Sequence, residues 1–393
     1  MKVCFETFGC RLNKAEALQM EAEYLAKGWE LTEAHKDADL FVVRGCSVTA
    51  RAQHESEKMI SHLKRHYPTV PVRICGCLQA ALNNKKPPLT ALALDHPNSR
   101  AIASALPVRT ARAYLKVQDG CNGRCTFCIV PKFRGQSTSM PFTELLARAR
   151  RFISSGYREI VVTGCNLVLY ASEGHGLPEL LSALAELHPE CRIRLGSLMP
   201  GACALETIHA MAEHANICRF LHIPVQSGSN RILMAMKRSY MTRDVDALIS
   251  NAVKLMPGLG LGCDLMTGFP DESDLDFNAT KGLLDRFQFS NAHIFPYSER
   301  PGTPAATFGG GLPQELRSKR AHDLSHLAKR IRRRYARSFV GKTVEIIVED
   351  PEKCIGWTGE YLRCEAVGHA PRKAAVRVFV TGISSDRLRG RLV

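Results

Sequence analysis

Asp119-Gly-Cys-Asn-Gly-Arg-Cys-Thr-Phe-Cys-Ile-Val-Pro131 decides how the rest of the chain is read. It carries Cys121, Cys125 and Cys128 in a C-x3-C-x2-C spacing. Three thiolates this close can hold three corners of a four-iron, four-sulfur cube. A fourth ligand in series, as in a ferredoxin run, is absent, because the next cysteine is Cys165. One iron would then lack a protein ligand and stay open to a substrate or cofactor. Zinc is the competing metal, but structural zinc takes four ligands in paired Cys or Cys/His groups, and this spacing and number do not suit it. The plain alternative is three cysteines packed as small hydrophobes.

The chain of 393 residues suggests two or three domains, and a hydrophobic content of 45% gives each a core. No run of eighteen apolar residues appears, so no membrane span is expected. The start, Met-Lys-Val-Cys-Phe-Glu-Thr-Phe-Gly-Cys10, lacks a signal-peptide layout, and a cytoplasmic protein is expected. In a reducing compartment the fifteen cysteines read as metal ligands plus buried thiols, not as a disulfide framework. The net charge of +15 points to a polyanionic partner, nucleic acid before a membrane surface. From Arg317 to Arg337 nine Lys/Arg meet one acid, Asp323, so this segment holds +8 of the surplus.

The fold class expected is α/β in three parts. The first is an N-terminal parallel α/β domain of three units, residues 1–106. Its strands are Lys2–Thr7, Asp39–Val43 and Val70–Ile74, with helices over 13–27 and 48–66. Each strand runs into a glycine and a cysteine: Gly9-Cys10, Gly45-Cys46 and Gly76-Cys77. Ligands gather at the carboxyl ends of parallel strands, so Cys10, Cys46 and Cys77 can converge on a second cluster, again with three protein ligands. Ordinary buried cysteines are the alternative. Cys4 reads as core, and Cys75 sits close enough to be confused with Cys77. Turn signals at 83–88 and 96–99 flank a connecting stretch, with a helix-like Arg100–Leu106.

Residues 107–312 alternate strands and helices. Strands are expected at Tyr114–Gln118, Glu159–Thr163, Arg192–Leu195, Phe220–Pro224, Gly260–Leu265 and Asn291–Phe295. Helices are expected near 143–155, 178–187, 205–214, 229–255 and 273–287. Six such units make a partial (β/α)6 barrel with right-handed crossovers. Functional side chains should then sit at the strand ends, where turn chemistry also places Gly, Pro and Ser. A basic helix follows, residues 313–338. It reads either as a docked connector with a solvated face or as a phosphate-contacting surface. Residues 339–393 form a small C-terminal β-barrel from Thr343–Val348, Gly359–Ala366 and Ala375–Thr381, of a kind common in nucleic-acid binding.

The cysteine spacing with Phe127 before its last member resembles the radical S-adenosylmethionine (SAM) enzymes. Thr7-Phe-Gly-Cys-Arg-Leu-Asn13, Gly45-Cys-Ser-Val-Thr49, Gln118-Asp-Gly-Cys-Asn122, Arg134-Gly135 and Gly268-Phe-Pro270 extend the resemblance, over essentially the whole chain, to the radical-SAM methylthiotransferases. The MtaB-like branch, which acts on N6-threonylcarbamoyladenosine in tRNA, is the most similar. Sister branches act on isopentenyladenosine in tRNA or on an aspartate of a ribosomal protein. The chain departs from the family in the short separation between Cys77 and Cys121, in Val-Arg-Gly-Cys46 and in Cys165.

The resemblance implies two [4Fe-4S] clusters on Cys10, Cys46, Cys77 and on Cys121, Cys125, Cys128, the former as sulfur source. It implies SAM cleaved to a 5′-deoxyadenosyl radical that activates C2–H of the adenine. It also implies a tRNA anticodon loop as partner, an electron donor of flavodoxin or ferredoxin type, a TRAM-like terminal barrel and a monomer. By resemblance Phe127, Thr163, Gly164, Asn166, Ser197, Gln226 and Ser227 meet SAM. Asp264, Tyr297 and Arg300 meet the substrate base or order the pocket. A non-catalytic RNA-binding iron–sulfur protein is the reading from another class.

Overall fold

The computed structural model describes residues 1–83 and 110–393. The connecting stretch between them lies outside the described residues, with its turn signals, the helical reading of Arg100–Leu106 and the 106/107 boundary.

The N-terminal domain is a four-stranded parallel sheet, one strand more than expected. Its order is Glu30–Thr32, Lys2–Thr7, Leu40–Gly45, Val72–Gly76. The added edge strand is three residues long and partly polar, too short to show a period. Thr7 pairs with Arg44, and Gly45 with Gly76, so three strands end level and Cys10, Cys46 and Cys77 all leave the same edge. Helices Arg11–Ala26 and Ala50–His66 cover the sheet. Thr49 starts the second by accepting from the Ala52 amide at 3.2 Å.

The central domain is the expected six-stranded partial barrel. Its strands are Ala113–Lys116, Glu159–Thr163, Arg192–Leu195, Phe220–Gln226, Gly260–Thr267 and Asn291–Pro296. All neighbouring pairs are parallel. The third and fourth strands meet through bridges Ile193–Ile217 and Ser197–His222. The first expected strand breaks at Val117, and Gln118–Asp119 pairs instead with Thr138–Ser139. Leu221, Ile223 and Val225 lie in the helix-facing core. By alternation Phe220, His222, Pro224 and Gln226 face the barrel interior. The 229–255 segment is two helices, Asn230–Ala235 and Thr242–Leu255.

Helix Gln314–Arg337 buries Leu324, Leu327, Ala328 and Ile331 against the central domain. The C-terminal unit is a closed five-stranded barrel, two strands more than expected: Ile355–Thr358 and the last strand, Arg387–Leu392. Its sequence, Arg-Leu-Arg-Gly-Arg-Leu, looks like exposed loop, but Leu388 and Gly390 point inward. A Cβ on Gly390 would lie 2.3 Å from the Phe379 carbonyl oxygen.

This terminal barrel plugs the amino-terminal end of the central one through a buried ion cluster. Arg194 donates to Glu159 at 2.7 Å, and to the carbonyls of Thr358 at 2.8 Å and Gly359 at 3.0 Å. Arg192 donates to Glu159 at 2.6 Å, and to the carbonyls of Trp357 at 2.9 Å and Glu345 at 3.1 Å. Tyr361 is stacked between Trp357 and Phe220.

Burial alone would raise the Glu159 carboxyl. Arg194, Arg192 and Arg112 overcome that and hold it well below the usual carboxylate range. A depressed folded value stabilises fully above the unfolded pKa of about 4.3, and that stabilisation is lost as pH falls toward the folded value. Glu159→Gln is expected to cost about 3–5 kcal/mol in denaturant unfolding at neutral pH, because it strands two buried guanidiniums. The gap between variant and parent should narrow as pH drops below about 4. A pH-independent gap would show that charge is not what Glu159 supplies.

Candidate active site

The N-terminal cysteines stand where the strands stop. Cys10 precedes the first turn of Arg11–Ala26 and is exposed. Cys46 is buried after its strand, and Cys77 opens the helix Cys77–Asn83. Gly9 has φ +90°, and a Cβ there would lie 2.5 Å from Cys46 Cβ and 2.7 Å from its Sγ. Only glycine lets these two loops touch. Asn13 Nδ2 donates to the carbonyls of Phe8 at 2.8 Å and Gly45 at 3.3 Å, tying the first loop to the second. Burial pushes the Cys46 thiol up to about 11, and Cys10 and Cys77 are near enough to add to it. Cys75 points away from them, toward Met20, Arg44 and the Val43 carbonyl. Cys4 is core.

The barrel cysteines lie on the loop after the first strand. Gly120 has φ +67°, and a Cβ there would sit 1.9 Å from the Gln136 carbonyl oxygen. Cys121 N–H donates to the Gly135 carbonyl at 3.0 Å, and Gly123 N–H to Cys121 Sγ at 3.3 Å. Burial pushes the Cys128 thiol up to about 12. Gln118 holds the loop shape: its Nε2 donates to the Gly120 carbonyl at 2.7 Å and Ser137 Oγ at 2.8 Å, while its Oε1 accepts from Asn166 N–H at 2.9 Å. The cysteine loop and the Thr163–Asn166 loop are therefore locked together. Asn166 Nδ2 lies 4.0 Å from Cys121 Sγ.

The residues expected at SAM fall into three groups. Thr163, Gly164 and Asn166 sit at the second strand end beside the cysteine loop. Phe127 packs on an apolar cluster that includes Met236, Phe269 and Tyr297. Gln226 has φ +68°, is buried, and leaves its Oε1 without a protein partner, as does Tyr297 Oη. Orphaned buried polar atoms of this kind suit a bound ligand. Ser197 is exposed at the third strand end. Ser227 differs from the rest, because its hydroxyl is engaged with Thr280 at 3.3 Å and accepts from Ser229 N–H at 3.2 Å.

Deeper in the interior, Asp264 Oδ1 accepts from His222 Nε2 at 3.1 Å and His293 Nδ1 at 3.1 Å. Burial would raise that carboxyl, but the two imidazoles hold it well below the usual range. Arg300 turns the other way and donates to Ser47 Oγ at 2.9 Å and Gln53 Oε1 at 2.5 Å, ordering the contact beside Cys46.

Two arginines with no role assigned from the sequence touch the cysteines. Arg238 Nη1 donates to Cys125 Sγ at 3.1 Å. Its other partners are Tyr240 Oη, Met199 Sδ and the Pro224 carbonyl. Arg134 Nε donates to Cys77 Sγ at 3.2 Å, while its other nitrogens reach Glu16, Asp119 and Asn13. Asp119 also accepts from the Cys165 thiol at 3.4 Å. Burial pushes that thiol well up, so Cys165 acts as a neutral hydrogen-bond donor here. Each cysteine set thus offers three sulfurs, a glycine-lined cradle and a guanidinium to offset thiolate charge. That donor set fits a cluster with one open iron.

Residues 115–284 match the family described as the Radical SAM superfamily, and residues 2–90 match the one described as Uncharacterized protein family UPF0004. A tRNA-2-methylthio-N(6)-dimethylallyladenosine synthase of Cereibacter sphaeroides is 31% identical over 100% of this chain and 98% of its own. The chain belongs to the radical-SAM methylthiotransferase family. Threonylcarbamoyladenosine tRNA methylthiotransferases MtaB are similarly related. The one from Thermotoga maritima is 30% identical over 88% of this chain and 86% of its own, and the one from Aquifex aeolicus 29% over 97% and 100%. Among solved structures, the radical SAM methyltransferase TsrM of Kitasatospora setae aligns with a TM-score of 0.54 at 13% identity, over 78% of this chain and 75% of that one. That likeness confirms the radical-SAM fold of the methylthiotransferase.

Gly9→Ala tests the close approach of the first two loops. It forces a side chain to φ +90° and against Cys46. It is expected to lower stability by about 1–3 kcal/mol in urea unfolding. An unchanged midpoint would show that the loops do not touch.

Proposed function

We propose that this chain is a tRNA methylthiotransferase that installs a 2-methylthio group on N6-threonylcarbamoyladenosine at tRNA position 37, using SAM and two [4Fe-4S] clusters. The observation that carries this reading is that two sets of three cysteines stand on separate domains joined through Arg134, which donates to Cys77 Sγ in one and to Asp119, at the start of the cysteine loop, in the other. When bound, the barrel cluster with SAM supplies radical activation of an inert C–H position, and the N-terminal cluster supplies sulfur.

The chain's own residues orient and enclose. Gln118 and Asn166 hold the loop of the barrel cysteines against the second strand end. Gln226 and Tyr297 offer buried polar atoms to a ligand inside the barrel, and Phe127 offers an apolar wall. Asp264, hydrogen-bonded to His222 and His293, places a carboxylate at this point of the barrel.

An RNA partner is supported by the exposed cations. Lys329, Arg330, Arg333, Arg334 and Arg337 are exposed on the long helix, and Arg387, Arg389 and Arg391 on the last strand. Arg333 donates to the Ser385 carbonyl at 3.1 Å and Arg332 pairs with Asp386 at 3.3 Å, which sets these two basic surfaces side by side. Phosphates are bound by such arrays in a salt-dependent way. Some of the helix charge is spent inside the protein: buried Arg320 pairs with Glu272 at 2.6 Å, and Arg317 donates to the Tyr297 carbonyl at 3.0 Å.

The second reading is the same reaction on isopentenyladenosine, favoured by relatives such as the Cereibacter sphaeroides synthase. Nucleoside mass spectrometry of tRNA from a deletion strain separates them. Loss of 2-methylthio-N6-threonylcarbamoyladenosine alone supports the proposal. Loss of only the isopentenyl counterpart replaces it with the second reading, and unchanged tRNA with lost ribosomal-protein thiomethylation overturns both. Anaerobic reconstitution is expected to load about eight irons per chain. Cys10→Ala, Cys46→Ala and Cys77→Ala together should leave about four. A parent that loads only about four has no N-terminal cluster.

A further inference from the structure

Arg134 is the last residue of the short helix Val130–Arg134, just past Cys128, and its side chain is 5% exposed. A guanidinium has five N–H donors in a fixed fork. Here every one has a partner. Nε donates to Cys77 Sγ at 3.2 Å. Nη1 donates to Glu16 Oε1 at 3.0 Å and Asp119 Oδ1 at 3.0 Å. Nη2 donates to Glu16 Oε2 at 3.1 Å and Asn13 Oδ1 at 3.1 Å. Three of these groups belong to the N-terminal domain, and Asp119 opens the loop of the barrel cysteines. A side chain saturated in this way cannot shift without breaking a buried charged bond, so it fixes where Cys77 stands relative to Cys121.

The local charge also has a direction. Glu16 is shared with Arg44 and with Lys116, whose Nζ lies 2.6 Å away, and Lys116 also pairs with Asp119 at 2.6 Å. Three cations therefore face two carboxylates, and of these Arg134 is the one that donates to a sulfur of the Cys10, Cys46 and Cys77 set. Hydrogen bonds and positive charge at a ligating sulfur stabilise the more negative, reduced state of a cluster and raise its potential.

We propose that Arg134 is a positioning residue that raises the reduction potential of the N-terminal cluster while fixing that cluster's place against the barrel cysteines. This rests on the reading that Cys10, Cys46 and Cys77 hold a cluster.

The test uses the full chain with Cys121, Cys125 and Cys128 all changed to Ala, so that only the N-terminal set can load. It is reconstituted anaerobically, its iron is counted, and it is titrated with EPR detection. About four irons are expected in this parent; none would sink the two-cluster reading, and the proposal with it. With iron present, Arg134→Gln is expected to move the midpoint to more negative potential, with Arg134→Lys between the two. Glu16→Gln removes a compensating carboxylate and should move it the opposite way. A purely structural role would move both variants in one direction or neither, and either result overturns the proposal. Should Arg134→Gln fail to hold iron, Asp119→Asn, which leaves the Cys77 bond in place, takes over: a positive shift supports the proposal and an unmoved midpoint overturns it.

Discussion

The contact between Arg134 and Glu16 is the constraint on which the rest of this protein turns. Glu16 sits on the first helix of one domain, and Arg134 follows the cysteine loop of another. Burial alone would raise the Glu16 carboxyl, but Arg134, Arg44 and Lys116 hold it well below its ordinary range. A buried network of this kind is weak as a source of net stability, since desolvation consumes most of the attraction. Its value is positional. Hydrophobic contacts would hold two domains together over a range of registers, whereas a forked guanidinium with every donor engaged accepts one. Two reactive centres from separate domains need that kind of join.

Much of this arrangement was legible in the sequence, for a physical reason. Parallel strands end in turns, turns need glycine, and Gly9, Gly45 and Gly76 each precede a cysteine. The six strands of the barrel alternate with amphipathic helices, so their count and order follow from hydrophobic period. What stayed hidden is long-range and polar. Nothing local to Arg134 or Arg238 tells that each ends on a sulfur. Glu159, Arg192 and Arg194 look like charged residues spoiling good strands, and their pairing appears only once strands two and three lie side by side. Strand Glu30–Thr32 was too short to read, and Arg387–Leu392 was disguised by its arginines.

The basic Arg317–Arg337 segment reads from sequence as a docked connector or as a phosphate-contacting surface, and the helix spends its cations in two ways. Arg317 and Arg320, near its start, clamp the sixth and fifth strand ends of the barrel through Tyr297 and Glu272 respectively. The cations toward its end remain mostly in water beside the last strand. One periodic pattern therefore serves as a structural strut over its first turns and as an exposed basic surface over its last.

The plug formed by the terminal barrel has a consequence for how the chain is made. Arg192 and Arg194 find their carbonyl acceptors only among residues 345–359, more than a hundred positions downstream. A ribosome delivers those residues after the whole central domain has emerged, and domains fold in the order they are synthesised. Until then Glu159 is the partner these two guanidiniums have on their own domain, and their remaining donors turn to water. Docking of the terminal barrel is the step that dries the floor.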